Sequence, residues 1–149
     1  MASYQERALD GASPVDLVVA LYDGIIRFLY AAIEAVERDD VNGRRVAVKR
    51  ALDILIHLQA RLRMDIGGRP ALVLSEFYAS MFALILQASQ SASTQRFHDV
   101  IGCVKNIRDA WRQVASEGGR YPSAPTSAKR IAPISQSKPD PEQASSWTA

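Results

Sequence analysis

Between Pro14 and Val36 the chain reads PVDLVVALYDGIIRFLYAAIEAV, and its charges fall on one side. Wound at about 100° per residue, Asp16, Asp23, Arg27 and Glu34 share an arc of roughly 40°. The remaining positions are apolar or small, among them Leu17, Val18, Leu21, Tyr22, Ile25, Ile26, Phe28, Leu29 and Ile33, with Gly24 between them. An apolar arc of roughly 200° or more is about twice what a surface helix of a globular domain needs. This helix is therefore either central to a bundle or keeps part of its arc for a partner. Its start is explicit: Ser13 can cap free N–H groups, Pro14 fits the first helical position, and Asp16 sets an anion beside the positive helix end.

Three more helical patterns follow. After the charged run Glu37-Arg38-Asp39-Asp40, with Asp40 or Asn42 as the cap, a helix from about Gly43 to Ile66 carries the stripe Val48, Leu52, Leu55, Gln59, Leu62 and Ile66. The row Ala47, Ala51, Ile54 and Leu58 widens that stripe, and Arg44, Arg45, Lys49, Arg50, Arg61 and Arg63 read as solvated. Gly67-Gly68 stops the helix, one of them as the left-handed residue past its end. Pro70 opens a third helix to about Ser91, with Ala71, Leu74, Tyr78, Met81, Ile85 and Ala88 as core. Leu72, Phe82 and Leu86 lie well round from that stripe as surplus apolar surface. Ser93, with Thr94, begins a fourth helix whose seam is Phe97, Val100, Val104, Ile107, Trp111 and Val114, closed by Gly118-Gly119.

Four such helices on short links predict an all-α fold, an antiparallel four-helix bundle over residues 13–117. Residues 1–12, with Tyr4, Ala8 and Leu9 as apolar points, predict one or two turns or a strap lying over an apolar surface. Residues 118–149 are rich in Pro, Ser and Gln and poor in large apolar residues, the composition of a disordered tail.

Charge and chemistry narrow the functions. Residues 1–116 hold 14 Lys and Arg against 13 Asp and Glu, and residues 117–149 hold 4 against 3. Neither part shows the basic excess of a nucleic-acid binder. No basic patch precedes an apolar run at the N-terminus, so a cytosolic protein is expected. Asp23 and Arg27 near the middle of the first helix would each cost about 2.5–3.5 kcal/mol in a bilayer. The third apolar run contains Glu76 and is at the lower limit for a span, so no membrane span is expected. The single Cys103 allows no intrachain disulfide and reads as a small core hydrophobe. His57 and His98 lack the Glu three residues before them that a di-metal bundle requires, so no metal or other cofactor is expected. Asp23 is the lone carboxylate in an apolar setting, and Arg27 one turn on can neutralise it. No catalytic residue is proposed, and an enzyme is not expected. Gly24, without a Cβ, admits another backbone, either a partner's or a sister helix's.

The string Ser13-Pro14-x-x-Leu17-Val18-x-x-Leu21-Tyr22-Asp23-Gly24 resembles the first-helix signature of the FliS family, the flagellin-specific secretion chaperones. Gly67-Gly68, Phe77-Tyr78-x-x-Met81 and Arg108-Asp109-Ala110-Trp111 are further points of likeness, as is Tyr4. The third-helix motif departs from the family, with Phe77 in its usual Leu place, and the tail is longer than the family's. The resemblance implies a four-helix bundle that binds the C-terminal segment of flagellin, prevents premature polymerisation and supports flagellar type III secretion. It implies Tyr4 and Leu9 as cap residues, and a client surface drawn from Leu21, Tyr22, Gly24, Ile25, Leu72, Phe82 and Leu86. Flagellar export components and a homodimer are further partners to consider. The tail is inert, or occludes the groove, or recruits an export component. The alternative function is a homodimeric helical-bundle adaptor with no flagellin client.

Overall fold

The computed structural model describes residues 13–117, apart from the side chains of residues 63–65. The expected strap over residues 1–12, with Tyr4 and Leu9, and the expected tail over residues 118–149 lie outside the described residues. Four α-helices follow one another: α1 (Pro14–Glu37), α2 (Val41–Asp65), α3 (Gly68–Gln90) and α4 (Thr94–Ser116). Links of two or three residues force each helix to run back along its predecessor, and the result is an antiparallel four-helix bundle.

The ends of the helices are fixed by side chains named in the sequence. At α1 the Asp16 N–H donates to Ser13 Oγ at 3.1 Å, and the Ser13 N–H donates back to the Asp16 carboxylate at 3.4 Å. At α2 it is Asp40 that accepts, from the Gly43 N–H at 2.8 Å, so the helix starts two residues before the expected Gly43. Ser93 caps α4 through the Arg96 N–H. The links after α1 and α3 are built alike. Asp39 (φ 55°) and Ala92 (φ 47°) take the left-handed conformation, and the next N–H returns to the carbonyls of Ala35 and Ala88. Gly67 and Gly68 are both left-handed (φ 65° and 63°), so the turn spends two glycines and α3 begins at Gly68 rather than Pro70.

The core runs from Val15 to Val114 and uses every residue of the α3 and α4 stripes named above. In α2 the buried face is centred on Ala47, Val48, Ala51, Leu55, Leu58 and Leu62, while Leu52, Ile54, Gln59 and Ile66 are half-buried. Ala47, Ala51 and Leu58 of the row read as a flank are thus part of the centre, in the helix that packs most extensively on α1. Arg44 and Arg61, read as solvated, are also half-buried. Helix α1 packs against both α2 and α4, and α3 closes the ring against the same two helices less tightly. Most of the broad apolar arc of α1 is consumed inside the bundle. Helix α3 is long and apolar enough to cross a bilayer, and under half of its apolar stretch is buried here.

One consequence of up-down-up-down topology positions the site. The start of α1, the turn from α2 to α3 and the end of α4 share one end of the bundle. Pro14, Ile66 and Trp111 accordingly line one small notch there.

Candidate functional site: an apolar groove between α2 and α3

The surplus apolar surface of α3 has a place. Leu72, Ser75, Ala79 and Phe82 recur at helical spacing along α3, and opposite them α2 presents Leu55, Ile56, Gln59 and Ala60. Together they wall a groove of about 1060 Å³ that opens at Gly67 and Gly68. Leu72 is 63% exposed and Ile56 is 56% exposed, large for aliphatic side chains of a bundle. The groove exists because the residues of α3 that face α2 outside the core are small. Ser75 and Ala79 hold no bulk to fill the space between the larger Leu72 and Phe82. Among its polar side chains, Gln59 Nε2 donates to Ser75 Oγ at 2.6 Å. The floor is Tyr78, whose ring lies against the core.

Tyr78 ties that floor to the other helices. Its hydroxyl shares a hydrogen bond of 2.5 Å with the Tyr22 hydroxyl of α1. The Tyr22 ring sits 6.3 Å from that of Tyr78 and 6.4 Å from that of Trp111 in α4, in tilted pairs. Burial pushes the Tyr78 hydroxyl up to about 12. It raises Tyr22 well above the ordinary value, with the adjacent Tyr78 adding to the shift. Both phenols are therefore neutral at physiological pH and act as hydrogen-bonding struts rather than as acids.

The sequence-derived site residues divide. Leu72 and Phe82 line the groove; Leu86 is 39% exposed one turn beyond Phe82 and outside the lining. Leu21 is half-buried against the core. Tyr22, Gly24 and Ile25, expected at the client surface, are buried within the bundle and do not line this groove. The physical reason is that two helices, not one, cover α1. Gly24 is a packing notch, since a Cβ there would stand 3.0 Å from Ile54 Cδ1 of α2. Asp23 does not pair with Arg27 either. Arg108 of α4 reaches it at 3.0 Å and Arg112 at 3.6 Å, while Arg108 also holds Asp109 at 3.3 Å. Partial burial works against the charge on Arg108, and its bonds to Asp23 and Asp109 more than offset that, raising its pKa. Cys103 is half-buried rather than core, with its thiol pushed up by burial and then by Asp99.

Ile56 and Ala60 escaped the sequence reading. Ile56 is a large apolar residue off both the stripe and the flank of α2, and that displacement was the signal available. Among the described residues no group of three or more His, Cys, Asp or Glu could hold a metal ion.

The class these features define is an antiparallel four-helix bundle with an open, mostly apolar groove between α2 and α3. Residues 1–118 match the family described as Flagellar protein FliS, and the chain belongs to that family. It is similar to the flagellar secretion chaperone FliS of Salmonella typhimurium, 35% identical over 111 residues, 74% of this chain and 82% of the relative. The flagellar secretion chaperone FliS of Campylobacter jejuni is 33% identical over 112 residues, 75% of this chain and 88% of that protein. That of Bacillus subtilis is 29% identical over 111 residues, 74% and 82% respectively.

Proposed function

We propose that this chain is a cytosolic export chaperone. It binds the C-terminal segment of flagellin in the α2–α3 groove, prevents premature polymerisation and holds the client for flagellar type III secretion. The observation that carries this reading is the groove itself, about 1060 Å³ of mostly apolar space left open between two helices of a well-packed bundle. An amphipathic client segment would bury its apolar side chains against Leu72, Phe82 and Ile56, and each fully buried aliphatic side chain contributes about 1.5–3 kcal/mol before ordering costs. The relatives' shared description as flagellar secretion chaperones points the same way.

The test is a titration of the purified chain with flagellin and with flagellin lacking its C-terminal segment. Full-length flagellin should bind and the truncated form should not. Ile56→Glu and Leu72→Glu, both at exposed positions, should weaken binding by about tenfold or more while leaving the thermal midpoint within a few degrees. Equal binding of both flagellins, or of neither, rejects the reading. Light scattering separates the homodimeric adaptor, which would keep its mass unchanged when client is added.

A further inference from the structure

On the other flank of α2 lies a second surface of opposite character. The groove takes no residue from α1, whereas Ile54 of α2 leans onto Gly24 of α1, so the α1–α2 seam faces away from the groove. On that seam the guanidinium of Arg27 lies 5.4 Å from the centre of the Phe28 ring, and that of Arg50 lies 5.9 Å from the same centre. Two cations converge on one half-buried aromatic ring. Neither has a carboxylate partner among the described residues, because Asp23, one turn from Arg27, is drawn to Arg108 and Arg112 of α4.

Of the other cations near the start of α2, Arg44 and Arg45 stand about 120° and 140° round the helix from Arg50, and the Asp40 carboxylate caps that end. Lys49 is paired, to Asp53 at 3.0 Å. We propose that Arg27, Phe28 and Arg50 form a docking surface for an acidic segment of a partner protein, one that presents carboxylates around an apolar residue. The guanidinium forks take the carboxylates in bidentate fashion and the Phe28 ring takes the apolar contact. A continuous polyanion fits less well, since Glu34, Glu37 and Asp53 border the patch and the chain carries a net charge of only +2. Lying across α2 from the groove, this surface shares no residue with it among the described residues, and it does not depend on what the groove holds.

The experiment uses the full chain at about 0.15 M salt, where weak surface attraction is largely screened. The probes are a fluorescein-labelled helical peptide of Glu and Leu, its Gln-for-Glu counterpart, a single-stranded oligonucleotide and phosphatidylserine vesicles. The Glu peptide should bind, and the Arg27→Gln/Arg50→Gln double variant should weaken it by about tenfold. The charge-matched Arg69→Gln/Arg96→Gln variant should change it by less than about twofold. Arg27→Lys/Arg50→Lys keeps the charge but not the planar fork, and should bind with intermediate affinity. Equal losses in the two Gln variants, binding of the Gln peptide as tight as the Glu peptide, or no binding by the unaltered chain overturn the proposal. So does an Arg27- and Arg50-dependent preference for the oligonucleotide or the vesicles. Flagellin titrated alongside reads the groove separately, so either site can fail alone.

Discussion

Tyr22 and Tyr78 show how one buried contact sets a response to pH. Their hydroxyls satisfy each other where water does not reach, with the Trp111 ring 6.4 Å from that of Tyr22. Removing one partner is worse than removing both, because a buried hydroxyl is left short of its bond. Tyr78→Phe should therefore lower unfolding free energy by about 1–2 kcal/mol, and Tyr22→Phe/Tyr78→Phe should recover much of that loss. Urea denaturation checks both. The sign of the pH effect follows from the raised pKa values. Above pH 10 the unfolded chain releases its tyrosine protons while the folded chain holds those of Tyr78 until about 12. The unfolded state then binds fewer protons, so stability present below pH 10 falls as pH rises through that window, by about 2–3 kcal/mol for Tyr78. Urea midpoints at intervals between pH 9 and 12 should trace the fall, and Tyr78→Phe should make it shallower, the raised Tyr22 carrying the remainder.

At the scale of helices, the bundle was largely legible because its signals are local and redundant. The Ser13-Pro14 start, the Gly67-Gly68 stop and the two seams on α3 and α4 each follow from spacing within one segment. Which way α1 faces was not legible. Periodicity tells how much of a helix is apolar, but not how many neighbours cover it, and here two do. That is why Tyr22 and Ile25, expected at a client surface, stand buried in the bundle. Gly24 makes the difference measurable. A valine there must share space with Ile54, 3.0 Å from the Cβ position, and should destabilise the fold by about 1–3 kcal/mol through overpacking. A residue serving only a client would leave the thermal midpoint alone and change affinity instead. The groove was half legible for the related reason that α3 announces its surplus and α2 does not. Ile56 makes sense only when Leu72 stands across from it.

Across the whole molecule the groove is built directly on the core: Leu55, Leu62, Ala71 and Tyr78 are buried and also line it. Core residues run from Val15 to Val114, and the exposed aliphatic side chains of the groove, Ile56 and Leu72, are not among them. Deleting residues 118–149, whose composition is poor in large apolar residues, should leave the thermal midpoint unchanged within a degree or two, as calorimetry would record. Client affinity measured on the same shortened chain discriminates among the roles open to those residues: tighter binding marks occlusion, and no change marks an inert extension. The sequence carried the composition of that segment but no register for it, since prolines and serines set no period.

Because α1 starts and α4 ends at the same pole as the glycine turn that opens the groove, anything fused to the bundle sits at its entrance. A client segment spliced on after Glu117 through a short flexible linker would meet the trough at millimolar effective concentration, yielding a single-chain complex suited to crystallisation. By the same token, affinity handles and fluorescent labels belong at the opposite pole, near Asp39 or Ala92, where they cannot crowd the guest.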